Sequence, residues 1–156
     1  MRKILFFGIS HAAVLFFGFA LGIYMLPILT APNSPDVTKL EQMSTDAKFS
    51  AHFSRDLRGS DFLHWGDGTI SFTSDKILHK GSLAPGPDYK LYLVKEFVEH
   101  EEEFLPIKGD AKVIGDIKTF EGFILDLPED VNLEDYTTVV IWCESFSEFI
   151  TAAKYR

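Results

Sequence analysis

Ile4 to Leu29 is a run of 26 residues without a charged side chain, with Ser10 and His11 its most polar members. About 20 apolar residues cross a bilayer as a helix, so the run can span one with some tilt. It is therefore lost to any soluble core, and the rest of the 156 residues has room for one ordinary domain. A cleaved signal peptide is the alternative, with Arg2-Lys3 as its basic start. Its apolar region would be unusually long, and a cut after Leu29-Thr30-Ala31 would place Pro32 directly behind it, which is unfavourable. The reading carried forward is a transmembrane anchor over residues 4–29. Arg2 and Lys3 on the short N-terminal side set that end in the cytoplasm. The domain from about Thr30 onward is then extracytoplasmic on a single-pass protein of the cell membrane. Gly18 and Gly22 give a small-xxx-small spacing, for which the general abundance of glycine in membrane helices is sufficient explanation.

With Arg2 and Lys3 set aside, 13 basic side chains stand against 23 acidic ones, a net of −10 outside the apolar run. Such a surface repels phosphate backbones and anionic lipid, which argues against nucleic acid as a partner. One cysteine, Cys143, excludes an internal disulfide, a paired-thiol redox site and a two-cysteine haem attachment.

Ala31-Pro32-Asn33-Ser34-Pro35 is rich in breakers. Asp36 to Ala47 has Val37, Leu40 and Met43 on one side of a short helix that Ser34 or Asp36 caps. Residues 30–47 are expected as a linker that lifts the domain off the membrane. From Lys48 the texture becomes short β-prone runs between Gly, Pro and Asp. Strands are expected near 48–53, 69–73, 76–79, 89–94, 111–115, 119–126, 137–144 and 148–153. Gly66-Asp67-Gly68 and Pro85-Gly86-Pro87-Asp88 signal turns, and 99–109 an acidic loop. The stretch from Tyr136 to Phe146 is dense in β-branched and aromatic residues. Val139, Ile141 and Cys143 share one face, and Thr138, Val140 and Trp142 the other. Both faces are apolar enough for a central, covered strand. The fold class expected is all-β: an antiparallel sandwich or small barrel-like domain over residues 48–156, behind one transmembrane helix.

Free cysteine usually behaves as a small buried core residue. Outside the cytoplasm a free thiol meets oxidising conditions, so keeping Cys143 requires burial, ligation or a redox use. His52, His64, His79 and His100 show no metal-site spacing, and most read as exposed strand ends. A haem or metal site would combine Cys143 with one of them. His100-Glu101-Glu102-Glu103 reads as a solvated acidic loop, because consecutive side chains diverge while hard cations want converging oxygens. No P-loop, G-x-G-x-x-G, G-x-S-x-G or acid/base pair is visible, so nothing marks an enzyme.

Three segments carry a resemblance: "GTISF" (Gly68–Phe72), "GSLAPGPDYKLYL" (Gly81–Leu93) and "IGDIKTFEGFILDLPEDVNLEDYTTVVIWCESFSEFITAA" (Ile114–Ala153). Gly86-Pro87-Asp88 before an alternating strand, and Val140-Ile141-Trp142-Cys143 before Phe146 and Phe149, are the most specific pieces. Together they resemble the DM-thirteen domain, also called the electron-transfer DM domain, over about Lys48 to Arg156. The resemblance implies a β-sandwich-like domain with a redox role for Cys143, as a bare thiol or a haem ligand. Trp142, Phe146 and Tyr89 are its expected aromatic shell. A separate envelope redox protein would be the electron partner. The competing reading is a non-catalytic binding or scaffold module of the cell envelope, with Cys143 in its core.

Overall fold

The computed structural model describes residues 2–156. Helix α1 (Arg2–Thr30) contains the whole apolar run and is long and apolar enough to cross a membrane. None of its residues is buried against protein.

The rest is two antiparallel four-stranded sheets packed face to face, the all-β class expected. Strands β1 (Phe49–Phe53), β2 (Gly66–Phe72), β3 (Lys76–Leu83) and β6 (Phe123–Asp126) form sheet one, in the order β1-β2-β3-β6. Strands β4 (Tyr89–Val94), β5 (Lys112–Ile117), β7 (Thr138–Cys143) and β8 (Glu148–Lys154) form the other, in the order β5-β4-β7-β8. Edge strands lie beside one another at both sides, β1 by β8 and β5 by β6, which gives the sandwich a barrel-like closure.

Strand β7 is central and buried along its whole length. Its alternation divides the interior. Val139, Ile141 and Cys143 face the main core between the sheets, with Leu91, Leu93, Ile70 and Phe72. Val140 and Trp142 face a second core on the outer side, with Tyr92, Phe149 and Phe104.

Several expectations are corrected. The 119–126 strand begins only at Phe123; Thr119 bonds the Gly122 carbonyl at 2.6 Å in a turn. Gly66-Asp67-Gly68 is no turn but the start of β2. Gly68 pairs with Gly81 across the ladder at φ 113°, and a Cβ there would lie 2.3 Å from the Lys80 carbonyl. Glycine marks a close approach of two strands here, not a chain reversal. The acidic loop contains a helical turn, α3 (Glu101–Phe104), which buries Phe104 completely over sheet two. Helix α2 (Val37–Met43) is capped by the Asp36 carboxylate, which accepts from the N–H groups of Thr38 and Lys39. It packs on β3 rather than standing free as a spacer: Leu40 is buried, and Glu41 pairs with Lys80 at 3.1 Å.

Candidate functional site

Cys143 ends β7, and in the ladder its partner across to β4 is Tyr89, the first residue of that strand. Directly paired residues of an antiparallel ladder share a face with their Cβ atoms about 5 Å apart. The cysteine and the phenol therefore stand side by side at one end of the main core, where the chain enters β4 from Pro85-Gly86-Pro87-Asp88. Two features hold the pair. A Cβ on Gly86 would lie 2.3 Å from Tyr89 Cε1 and 2.4 Å from its hydroxyl, so the phenol occupies the space a side chain would take. Phe120 meets the ring edge-on, centroids 6.0 Å apart. Asp88 fixes the β7–β8 hairpin above them: its carbonyl accepts from Glu144 N at 2.9 Å and its carboxylate from Ser145 Oγ at 3.1 Å.

A cavity of about 310 Å³ opens at this end of the sandwich. Tyr89, Cys143 and Ile150 line its domain side, with Pro85 and Pro87 from the entry loop and Leu63 and His64 from the β1–β2 connection. Its remaining wall is α1, through Ala20, Ile23 and Tyr24. Phe146 lines it from the hairpin and is half exposed. The one charged side chain lining it is Glu148.

The electrostatics follow from burial. Desolvation pushes the Cys143 thiol up, and the nearby Asp88 charge adds to this. Backbone N–H groups of Phe146, Asp88 and Ser145 favour the thiolate but do not outweigh the desolvation. Cys143 is 2 % exposed and its thiol is protonated at rest. Tyr89 is likewise pushed well above its ordinary value, first by desolvation and then by Cys143, so its hydroxyl remains a donor. Asp61 is subject to an opposing desolvation, but hydrogen bonds from His64 and from the Leu63 and His64 N–H groups hold it below the usual carboxylate range. His64 Nδ1 lies 3.0 Å from Asp61 Oδ2. With Nδ1–H directed to that carboxylate, Nε2 is the nitrogen left to accept.

Of the expected aromatic shell, Tyr89 and Phe146 share the cavity with Cys143 and Trp142 does not. Trp142 lies on the opposite face under Phe104, ring centroids 5.1 Å apart. Adjacent residues on a strand cannot face the same way. Among the histidines only His64 lines the cavity. His79 is wholly buried inside the sandwich, against the reading of it as an exposed strand end. His52 sits 3.6 Å from Asp67, and His100 caps α3 by accepting from Glu102 N. The Glu101-Glu102-Glu103 turn holds no cation cluster: Glu103 pairs with Arg58 at 2.7 Å, and no group of three metal-type ligands occurs among the described residues. The contribution of α1 and His64 was invisible in the sequence, because it depends on which loops meet the end of that helix. The Gly86-Pro87-Asp88 segment was visible, though as a turn and not as the seat of Tyr89.

A haem does not fit this cavity. No Lys or Arg lines the wall to meet the haem carboxylates, and Glu148 would repel them. At about 310 Å³ the space is at the lower end of ordinary ligand pockets.

No curated protein and no solved structure matches the chain. Residues 52–155 match the family model described as Electron transfer DM13. That match takes in the end of β1 and all of β2 to β8, including the Tyr89–Cys143 pair and the loops that seat it. The chain therefore belongs to the electron-transfer DM13 family.

Proposed function

We propose that the protein is an extracytoplasmic electron-transfer domain held at the membrane by residues 4–29, with Cys143 as its redox-active thiol. The observation that carries this reading is the cross-strand pair of Cys143 and Tyr89 on one cavity beside the anchor helix. Family membership supports the electron-transfer role, and Arg2-Lys3 ahead of the apolar run supports a cytoplasmic N-terminus. The buried, protonated thiol is protected from adventitious oxidation. The three backbone N–H groups beside it are already placed to stabilise charge on sulfur when the cavity is wetted or filled. The electron partner is a separate envelope protein or a small carrier.

Voltammetry of the full-length protein in a lipid film tests this. A wave is expected for the wild type and none for Cys143→Ser, with the far-ultraviolet circular dichroism of the two unchanged. An unaltered wave in the serine variant sinks the proposal. The burial of Cys143 favours a second reading, a binding module in which the cysteine only packs. In that case Cys143→Ala costs about 1 kcal/mol of stability and nothing else.

A further inference from the structure

We propose that the cavity between α1 and the end of the sandwich binds the ring of a lipid-soluble quinone, with Tyr89 Oη donating to a ring carbonyl. This rests on the anchored reading above, since it needs α1 to remain in the bilayer.

Access comes first. Counted from Ile4, about 20 residues cross the hydrocarbon core, which puts its outer boundary near Ile23. Ala20, Ile23 and Tyr24 are the α1 residues on the cavity, so the cavity meets the membrane where acyl chains give way to headgroups. Tyr24 suits that level, where aromatic side chains with one polar end collect. Phe146 adds a half-exposed ring on the domain side. A ligand entering here comes from the lipid phase.

The lining then selects the ligand. Apart from Glu148 it is uncharged, and it carries no cation, so a phosphate headgroup would find repulsion and no partner. The volume of about 310 Å³ suits one ring and the start of a tail rather than a two-chain lipid. Tyr89 is 2 % exposed, and its hydroxyl makes no hydrogen bond to protein among the described residues. It is not one of the solvent-excluded polar atoms without a partner, so it is a donor open to whatever fills the cavity. His64 lines the same cavity, and with its Nδ1–H on Asp61 the neutral ring can accept through Nε2. A neutral flat ring that accepts through carbonyls when oxidised and donates through hydroxyls when reduced matches both groups.

The test uses the full-length protein in phosphatidylcholine nanodiscs, with a radiolabelled benzoquinone carrying a decyl tail as the probe and decylbenzene as competitor. Saturable binding at one site per chain is expected, and decylbenzene should not displace it. Tyr89→Phe should weaken it by up to about tenfold through the lost hydrogen bond. Ala20→Phe should abolish it by placing a ring in the cavity from the anchor side. Ala20 is exposed in the helix, so that variant leaves the fold of the domain intact. Equal displacement by decylbenzene, wild-type binding in both variants, or loss of α1 from the mature protein overturns the proposal. A Cys143-dependent voltammetric wave without quinone binding sinks this inference alone. Quinone binding without the wave sinks the redox role of Cys143 and leaves the site standing.

Discussion

His79 has the most to say about pH among the single residues. Its ring lies between Phe53 and Phe123, centroids 5.3 and 5.0 Å away, and Nε2 is 3.0 Å from the Asp67 carbonyl. Nδ1 is buried without a partner among the described residues. Desolvation lowers its pKa from the ordinary 6.5 to about 4, with a small further push from His52, against the opposing pull of Asp67. The unfolded chain therefore takes up a proton below pH 6.5 that the folded one refuses until about pH 4. The stability associated with a neutral His79 is fully present above pH 6.5 and is lost progressively down to about pH 4. The loss amounts to about 3 kcal/mol across that window. Urea unfolding of the detergent-solubilised protein at pH 7 and pH 4 measures it, and His79→Leu should remove that part of the difference; an equal loss in the variant would show that other groups carry it. Burial of His79 could not be read from the sequence. The strand was expected to end there, whereas β3 runs on to Leu83 and places His79 mid-strand. Cys143 illustrates the complementary case. Its face was readable from alternation along one strand, but its neighbour was not, because the register that sets Tyr89 opposite Cys143 is a property of two strands about fifty residues apart.

Strands with strong alternation or dense β-branched content, β4, β7 and β8, were legible because their periodicity is local. Elements whose burial depends on a partner were not. The segment from His100 to Asp110 looks solvated by composition, since charge dominates it, yet Phe104 uses it to cover Tyr92 and Trp142 on the outer face of sheet two. Glu144 belongs to the same cover. Desolvation acts to raise it, but hydrogen bonds from Lys108, at 2.6 Å, and from Tyr92 win and hold it below its ordinary value. Leu40 does for sheet one what Phe104 does for sheet two, as one apolar side chain on a short polar element. Phe104→Ala should cost about 3–5 kcal/mol and Leu40→Ala about 2–5 kcal/mol, measured by chemical denaturation of the full chain. Had α2 been a free spacer and 99–109 a solvated loop, both would fall within about 0.5 kcal/mol of wild type; that outcome would detach these elements from the fold.

Across the whole molecule, the fold class and the apolar span were readable early, because each rests on composition repeated over many residues. The candidate site was not, because it joins the start of the chain to its last third: Ala20, Ile23 and Tyr24 of α1 close a cavity whose other walls come from β4, β7 and the loops around them. The redox reading of Cys143 is favoured when the domain lies on the outer side of the membrane, where a buried single thiol has a reason to be buried. Orientation is therefore the property that ties α1 to the proposed chemistry. The charge distribution supports it, with Arg2 and Lys3 on one side of the apolar run and every acidic residue on the other. Ser74 provides the means of measuring it, being exposed in the turn between β2 and β3. In right-side-out membrane vesicles a membrane-impermeant maleimide should label Ser74→Cys at once. The wild type, whose Cys143 is 2 % exposed, should label only after denaturation. If Ser74→Cys is labelled only after the vesicles are opened, the domain faces the cytoplasm. The reducing conditions there would remove the need to shelter Cys143 from oxidation, and the core-residue reading of the cysteine would become the better one.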